Sequence, residues 1–121
     1  MKKILVLYTG GTIGMDYTDD GLKPVNGLFK SQIDTLEPVS NIKVDLIEYE
    51  QLIDSSDVRL EHWQRMIADI SANYEKYDGF IVIHGTDTMA YTASVLAFAL
   101  RGLDKPVVLT GSQLPLVHRR S

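Results

Sequence analysis

The chain has 121 residues, which allows one domain at most, since domains run to about 100–200 residues. Hydrophobic residues make up 45% and charged residues 23%, a globular balance that argues against disorder. The net charge of −4 excludes a generally basic nucleic-acid binder and gives no reason to expect an anionic membrane as partner. The absence of cysteine excludes a disulfide framework, a zinc knuckle and a thiol nucleophile.

Met1-Lys2-Lys3 before Ile4–Tyr8 has the outline of a signal peptide. The apolar run is too short for one, however, and Gly10-Gly11 ends it without a small-residue cleavage pattern. Nor does any apolar stretch reach the ~18 residues of a membrane span. A cytoplasmic protein is expected.

Ile4–Tyr8 is a continuous apolar run, the pattern of a strand buried on both faces of a parallel sheet. A polar, glycine-containing loop is expected from Gly14 to about Asn26. Leu28, Phe29, Ile33 and Leu36 predict a short helix ended by Pro38. Ile42–Ile47 alternates at first and predicts a half-exposed strand. Asp57 is the expected N-cap of a helix whose apolar stripe is Leu60, Trp63, Ile67, Ile70 and Tyr74. Gly79–His84 predicts a third buried strand. Thr86 or Asp87 is then placed to cap a helix from about Thr88 to Arg101, so apolar that it is expected to be heavily buried, with Gly102 at its end. Pro106–Thr110 predicts a fourth strand. Strands alternating with helices imply parallel pairing, right-handed crossovers and a doubly wound, flavodoxin-like α/β sheet.

Four loops then follow four strands: Thr9–Gly14, Leu52–Asp57, His84–Thr88 and Thr110–Gln113. All are dense in hydroxyls, glycines and acids. In a parallel sheet they share the carboxyl edge, where ligands bind at the point of strand-order reversal. With the strand order 2-1-3-4, Thr12 and Thr86 face one crevice. His62, His84 and His118 are scattered without metal-ligand spacing, so no metal is expected. The available chemistry is hydroxyls with carboxylates. A threonine nucleophile needs a neighbouring base and donors for the developing oxyanion. Gly10-Gly11 lets backbone approach a small ligand, and N–H groups near Thr12 suit an oxyanion. Asp87 suits an ammonium or the orientation of a base, while Ser55 and Ser56 suit a carboxylate. A zwitterionic small molecule fits this set better than a nucleotide.

Each loop also has a plainer reading. Thr9–Gly14 matches neither G-x-G-x-x-G nor the phosphate-binding P-loop, and alone is slightly better explained as a tight turn. Asp54–Asp57 alone is a capping cluster, Thr86-Asp87-Thr88 an N-cap, and His84 a hydrogen-bonded core histidine. The Trp63 stripe is core. Four such loops on one edge are harder to dismiss than any one of them.

Tyr8-Thr9-Gly10-Gly11-Thr12-Ile13-Gly14, His84-Gly85-Thr86-Asp87-Thr88-Met89 and Thr110-Gly111-Ser112-Gln113 together resemble the bacterial-type L-asparaginase/glutaminase family, nearest its cytoplasmic type I members. The resemblance runs over essentially the whole chain. It implies hydrolysis of L-asparagine to L-aspartate and ammonia without cofactor or metal. It implies Thr12 as the acyl-accepting nucleophile, and Thr86 as the threonine that activates water or relays protons. Asp87 becomes the ligand of the α-ammonium, with Ser55 and Ser56 for the α-carboxylate. Gly11, Gly85 and Ser112 border the substrate. Homo-oligomeric assembly, as dimer or tetramer, is also implied.

Three departures are notable. Many relatives have a tyrosine near the end of the loop after the first motif, where this chain has Leu22; Tyr17 or another chain is the expected substitute. Relatives usually have an acidic residue near the position of His118. The family's catalytic lysine lies beyond Ser121, as does its carboxyl-terminal domain, so the chain reads as a partial amino-terminal domain with little activity alone. The alternatives are the asparaginase-like subunit of a tRNA-dependent amidotransferase, which carries an extra segment before its first motif, and a non-catalytic flavodoxin-like binding module.

Overall fold

The structure, a computed structural model, describes residues 1–37 and 39–119. Lys2–Tyr8 forms the first strand, β1. Successive side chains of a strand point to opposite faces, so Leu5 and Leu7 enter one core while Val6 and Tyr8 enter another; all four are buried. Met15–Thr18 (β2) and Gly21–Pro24 (β3) pair as a small antiparallel hairpin. Leu28–Asp34 is α1, Ile42–Glu48 is β4 and Leu60–Asn73 is α2. Gly79–Ile83 (β5), Met89–Ala99 (α3) and Val107–Thr110 (β6) complete the order.

The main sheet runs β4-β1-β5-β6, all parallel, with β1 in the interior. This is the expected doubly wound α/β order, and it reverses between β1 and β5. Glu48, Tyr8, Ile83 and Thr110 stand in register, so the four strands end level with one another. On one face Met66 and Ile70 of α2 and Leu96 of α3 pack on Leu5, Leu7, Phe80 and Val82. On the other, Phe29 of α1 packs on Val6, Tyr8 and Ile83, its ring stacked 4.4 Å from that of Tyr8.

Three expectations need correction. The loop expected over 14–26 contains the hairpin β2–β3, turned at Thr18–Gly21, where Thr18 Oγ1 donates to the Gly21 carbonyl at 2.8 Å. The N-cap of α2 is Arg59, not Asp57: His62 Nδ1 accepts the Arg59 N–H at 2.9 Å, the His62 N–H donates to the Arg59 backbone carbonyl at 3.0 Å, and the Arg59 guanidinium pairs with Asp57 at 3.2 Å. Helix α3 is not heavily buried. Only Thr92 and Leu96 are, while Tyr91 is 69% and Phe98 73% exposed, because one side of the helix meets the sheet and α2 and the other meets nothing. The expected helix stop at Pro38 lies outside the described residues.

Candidate functional site

The loops after β1, β4 and β5 are packed backbone to backbone. Gly11 has φ +103°, a conformation L side chains rarely adopt. A Cβ there would stand 2.8 Å from the Gly85 nitrogen, so the first loop lies directly on the third. Gly85 in turn lies on Ser55, where an added Cβ would meet the serine Oγ at 2.5 Å. Three polar loops can approach this closely only because side chains are missing at the contacts. Hydrogen bonds fix the arrangement. Thr9 Oγ1 donates to the Ile83 carbonyl at 2.7 Å, and the Ile53 N–H to the Thr9 carbonyl at 2.7 Å. Thr88 Oγ1 donates to the Ser55 carbonyl at 2.6 Å. The fourth loop joins through the Leu116 N–H, which donates to the Ile13 carbonyl at 2.7 Å.

Thr12 opens a short 3-10 turn, Thr12–Gly14, at the crevice between β1 and β5. It is half-buried, and its hydroxyl has no hydrogen-bond partner among the described residues. Thr86, across the Gly11–Gly85 contact, is exposed, and its Oγ1 accepts from Gln113 Nε2 at 2.9 Å. Asp87 is exposed and pairs with no cation among the described residues. The two serines differ. Ser55 is buried against Gly85, whereas Ser56 is exposed and gives both its N–H (3.0 Å) and its hydroxyl (2.8 Å) to Asp54 Oδ1. Those bonds, backbone first, hold the Asp54 carboxyl below its usual range. The plain capping reading of Asp54 is therefore the arrangement found. Ser112 is half-buried and its Oγ accepts the Leu114 N–H at 3.1 Å.

His84 is the satisfied core histidine its sequence position predicts, 2% exposed with both ring nitrogens bonded. Sequence reading missed Gln113 as the partner of Thr86, and Thr88 as the tie to Ser55. It also missed Thr92, whose hydroxyl meets both Trp63 and His84. Only contacts between segments remote in the chain reveal these roles. Tyr17 stands opposite Leu22 in the hairpin, 62% exposed.

A groove of about 650 Å³ between α3 and β6 includes Thr86 among its lining residues, but is otherwise walled mainly by Ala93, Leu96, Leu100, Val107 and Leu109. Such a wall does not suit a zwitterion, and the polar crevice at the strand ends does. Among the described residues no group of three or more His, Asp or Glu is placed to hold a metal ion, and no helix is long and apolar enough to cross a membrane.

A sheet whose order reverses beside a crevice of hydroxyls and carboxylate defines a doubly wound α/β protein with its ligand site at the switch point. The family model described as "Asparaginase, N-terminal" matches residues 3–121, and the chain belongs to that family. It is 49% identical over 123 residues to L-asparaginase 1 of Escherichia coli (strain K12), covering 99% of this chain and 36% of that protein. The crystal structure of L-asparaginase I from Vibrio cholerae O1 matches with a TM-score of 0.91 at 45% identity, over 99% of this chain and 37% of that one. A glutamyl-tRNA(Gln) amidotransferase component from Aeropyrum pernix is 40% identical over 118 residues, 93% of this chain and 27% of that protein. The chain thus spans about a third of the length of the first two.

Proposed function

We propose that these residues form the substrate-binding and first catalytic loops of a cytoplasmic L-asparagine amidohydrolase, a homo-oligomer that uses no metal or cofactor. The observation that carries the reading is the seating of Gly11 on Gly85, which supports one crevice shared by Thr12 and Thr86 in a chain of the asparaginase family. On this reading Thr12 Oγ attacks the side-chain amide carbon of asparagine. The C–N bond breaks, ammonia leaves with the hydroxyl proton, and an ester to Thr12 remains. Water oriented by Thr86 then adds to the ester carbon, releasing L-aspartate and restoring the hydroxyl. Backbone N–H groups beside Gly11 and Thr12 face the developing oxyanion. Asp87 takes the α-ammonium, Ser55 and Ser56 the α-carboxylate, and Gly85 and Ser112 border the amide. Tyr17 is the candidate to activate Thr12, since it projects from the same face of the hairpin as Leu22.

The test is ammonia release from L-asparagine by full-length protein carrying these residues, with the adduct mapped by mass spectrometry after quenching during turnover. An acyl group on Thr12 supports the reading; one on Thr86 reverses the two roles. Turnover that required a tRNA-charging partner would favour the amidotransferase reading, to which the Aeropyrum pernix relative lends support. A flavin absorbance band without hydrolysis would favour a binding module. The 121 residues alone are expected to turn over far more slowly than about 1 s⁻¹.

A further inference from the structure

Thr92 stands where two helices and a strand end meet. It lies wholly buried on the inner side of α3. Trp63 Nε1 of α2 donates to Thr92 Oγ1 at 2.8 Å, and the same oxygen is 2.9 Å from His84 Nε2. On the far side of the ring, His84 Nδ1 is 2.6 Å from the Gly85 carbonyl oxygen.

The direction of every bond follows from its ends. An indole N–H only donates and a carbonyl only accepts. The Gly85 carbonyl therefore takes the imidazole hydrogen on Nδ1. The Thr92 oxygen accepts from Trp63 and gives its own hydrogen to Nε2. One tautomer satisfies the whole network. The other sets the Nδ1 lone pair against the carbonyl and turns two N–H donors on the Thr92 oxygen. A buried polar network imposes a unique geometry when every member is satisfied, and is costly when one is not.

The Gly85 end of this network bears on the site. The Gly85 carbonyl and the Thr86 N–H belong to one planar trans peptide and point opposite ways. Tying the carbonyl to His84 therefore sets the Thr86 N–H, and with it the direction in which the backbone carries Thr86 and Asp87. Thr92 and His84 are buried and do not themselves meet a ligand.

We infer that Trp63, Thr92 and His84 are positioning residues, a hydrogen-bond relay that runs from α2 through α3 and orients the Gly85–Thr86 peptide for catalysis. Its effect on turnover rests on the hydrolysis proposed above; the relay itself does not.

The experiment uses full-length protein labelled with ¹⁵N. Long-range ¹⁵N–¹H NMR reads the His84 tautomer, amide spectra report Thr86 and Asp87, and steady-state kinetics are run on Thr92→Val, Thr92→Ser and Trp63→Phe. The wild type is expected to carry hydrogen on Nδ1. Thr92→Val is expected to mix the tautomers, shift the Thr86 and Asp87 amides, and lower kcat by roughly 10- to 100-fold, as loss of an orienting partner does, with a smaller change in KM. Thr92→Ser keeps the hydroxyl and is expected to restore the tautomer and most of kcat, and Trp63→Phe to fall between. An Nε2–H wild type overturns the relay. So does a Thr92→Ser as damaged as Thr92→Val, which would mean packing alone, or a Thr92→Val with normal kcat. Should Thr92→Val not fold, Thr92→Ser and Trp63→Phe decide by the same readouts. If asparagine is not hydrolysed at all, the proposed function fails, and the tautomer and amide shifts alone judge the relay.

Discussion

The two threonine loops leave the sheet side by side and are anchored in opposite ways. The loop after β5 starts at His84, whose ring is buried with both nitrogens bonded, and its Thr86 hydroxyl is held by Gln113. The loop after β1 starts at Tyr8, equally buried, whose hydroxyl has no partner among the described residues; the Thr12 hydroxyl has none either. Backbone contacts fix both loops, and the Thr9 hydroxyl helps to hold the first, but of Thr12 and Thr86 only Thr86 has its hydroxyl committed. Such a difference suits two tasks. A group that orients water gains from a fixed direction, whereas a nucleophile must keep a lone pair free for the substrate carbon and its proton free for a base.

The sharpest way to break this comparison is to exchange the consequences of losing each hydroxyl. In full-length protein, Thr12→Ala is expected to lower kcat by more than the roughly 10²- to 10⁴-fold typical of an acid–base group, while aspartate binding, measured by calorimetry, stays near normal. Asp87→Ala should weaken binding as well, because on the proposed function the α-ammonium then loses its partner. A Thr12→Ala enzyme with near-normal turnover would show that the free hydroxyl is not the nucleophile.

Next in size is Gly11→Ala, which attacks the contact joining the loops. The substitution places a Cβ at φ +103° and within 3 Å of Gly85 backbone. The positive φ with extended ψ costs about 1–3 kcal/mol, and overpacking against backbone that cannot rotate away adds roughly 1–3 kcal/mol. Chemical denaturation should show a loss of about 2–6 kcal/mol on those grounds. Gly21→Ala, whose φ is also positive but whose Cβ meets nothing, should lose only the conformational part. A smaller effect is expected for Gln113→Leu, which removes the donor to Thr86: kcat falls about tenfold, at the low end of the usual loss for an orienting partner, and KM hardly changes.

Much of this arrangement was legible in the sequence. Continuous apolar runs in Ile4–Tyr8 and Gly79–Ile83 mark strands buried on both faces, and the alternation of elements fixes their parallel order. Glycine-rich loops at strand ends mark the crevice. The hairpin was harder to see. Its strands are four residues each and largely exposed, so no apolar alternation betrays them, although Asp20-Gly21 is a turn signal in retrospect. The exposed side of α3 was invisible because composition reports how apolar a helix is, not how many neighbours it has. The contacts Gly11–Gly85, Thr86–Gln113 and Trp63–Thr92–His84 join residues remote in the chain, and no local pattern states which backbone a glycine will meet.

The smallest effect at neutral pH concerns Tyr8, and it sharpens the contrast most economically. Its hydroxyl is buried beside the Glu48 carboxylate, whose Oε1 likewise lacks a partner among the described residues. Burial first, and that carboxylate second, push its ionisation from 10.0 up to about 12. Removing an unpartnered buried hydroxyl relieves a desolvation cost without breaking a bond, so Tyr8→Phe should leave the neutral-pH stability unchanged or raise it by about 1 kcal/mol. The sign at high pH is fixed by linkage. The folded state holds the proton more tightly than the unfolded chain, so this contribution is fully present below pH 10 and is lost as pH rises through about 12. Denaturant midpoints measured from pH 8 upward should therefore fall more steeply for the wild type than for Tyr8→Phe across that window. His84 has no orphaned atom to relieve, and His84→Phe breaks two bonds; it should destabilise at neutral pH. Equal losses from Tyr8→Phe and His84→Phe would mean that the Tyr8 hydroxyl is bonded after all, and that the two loops are anchored alike.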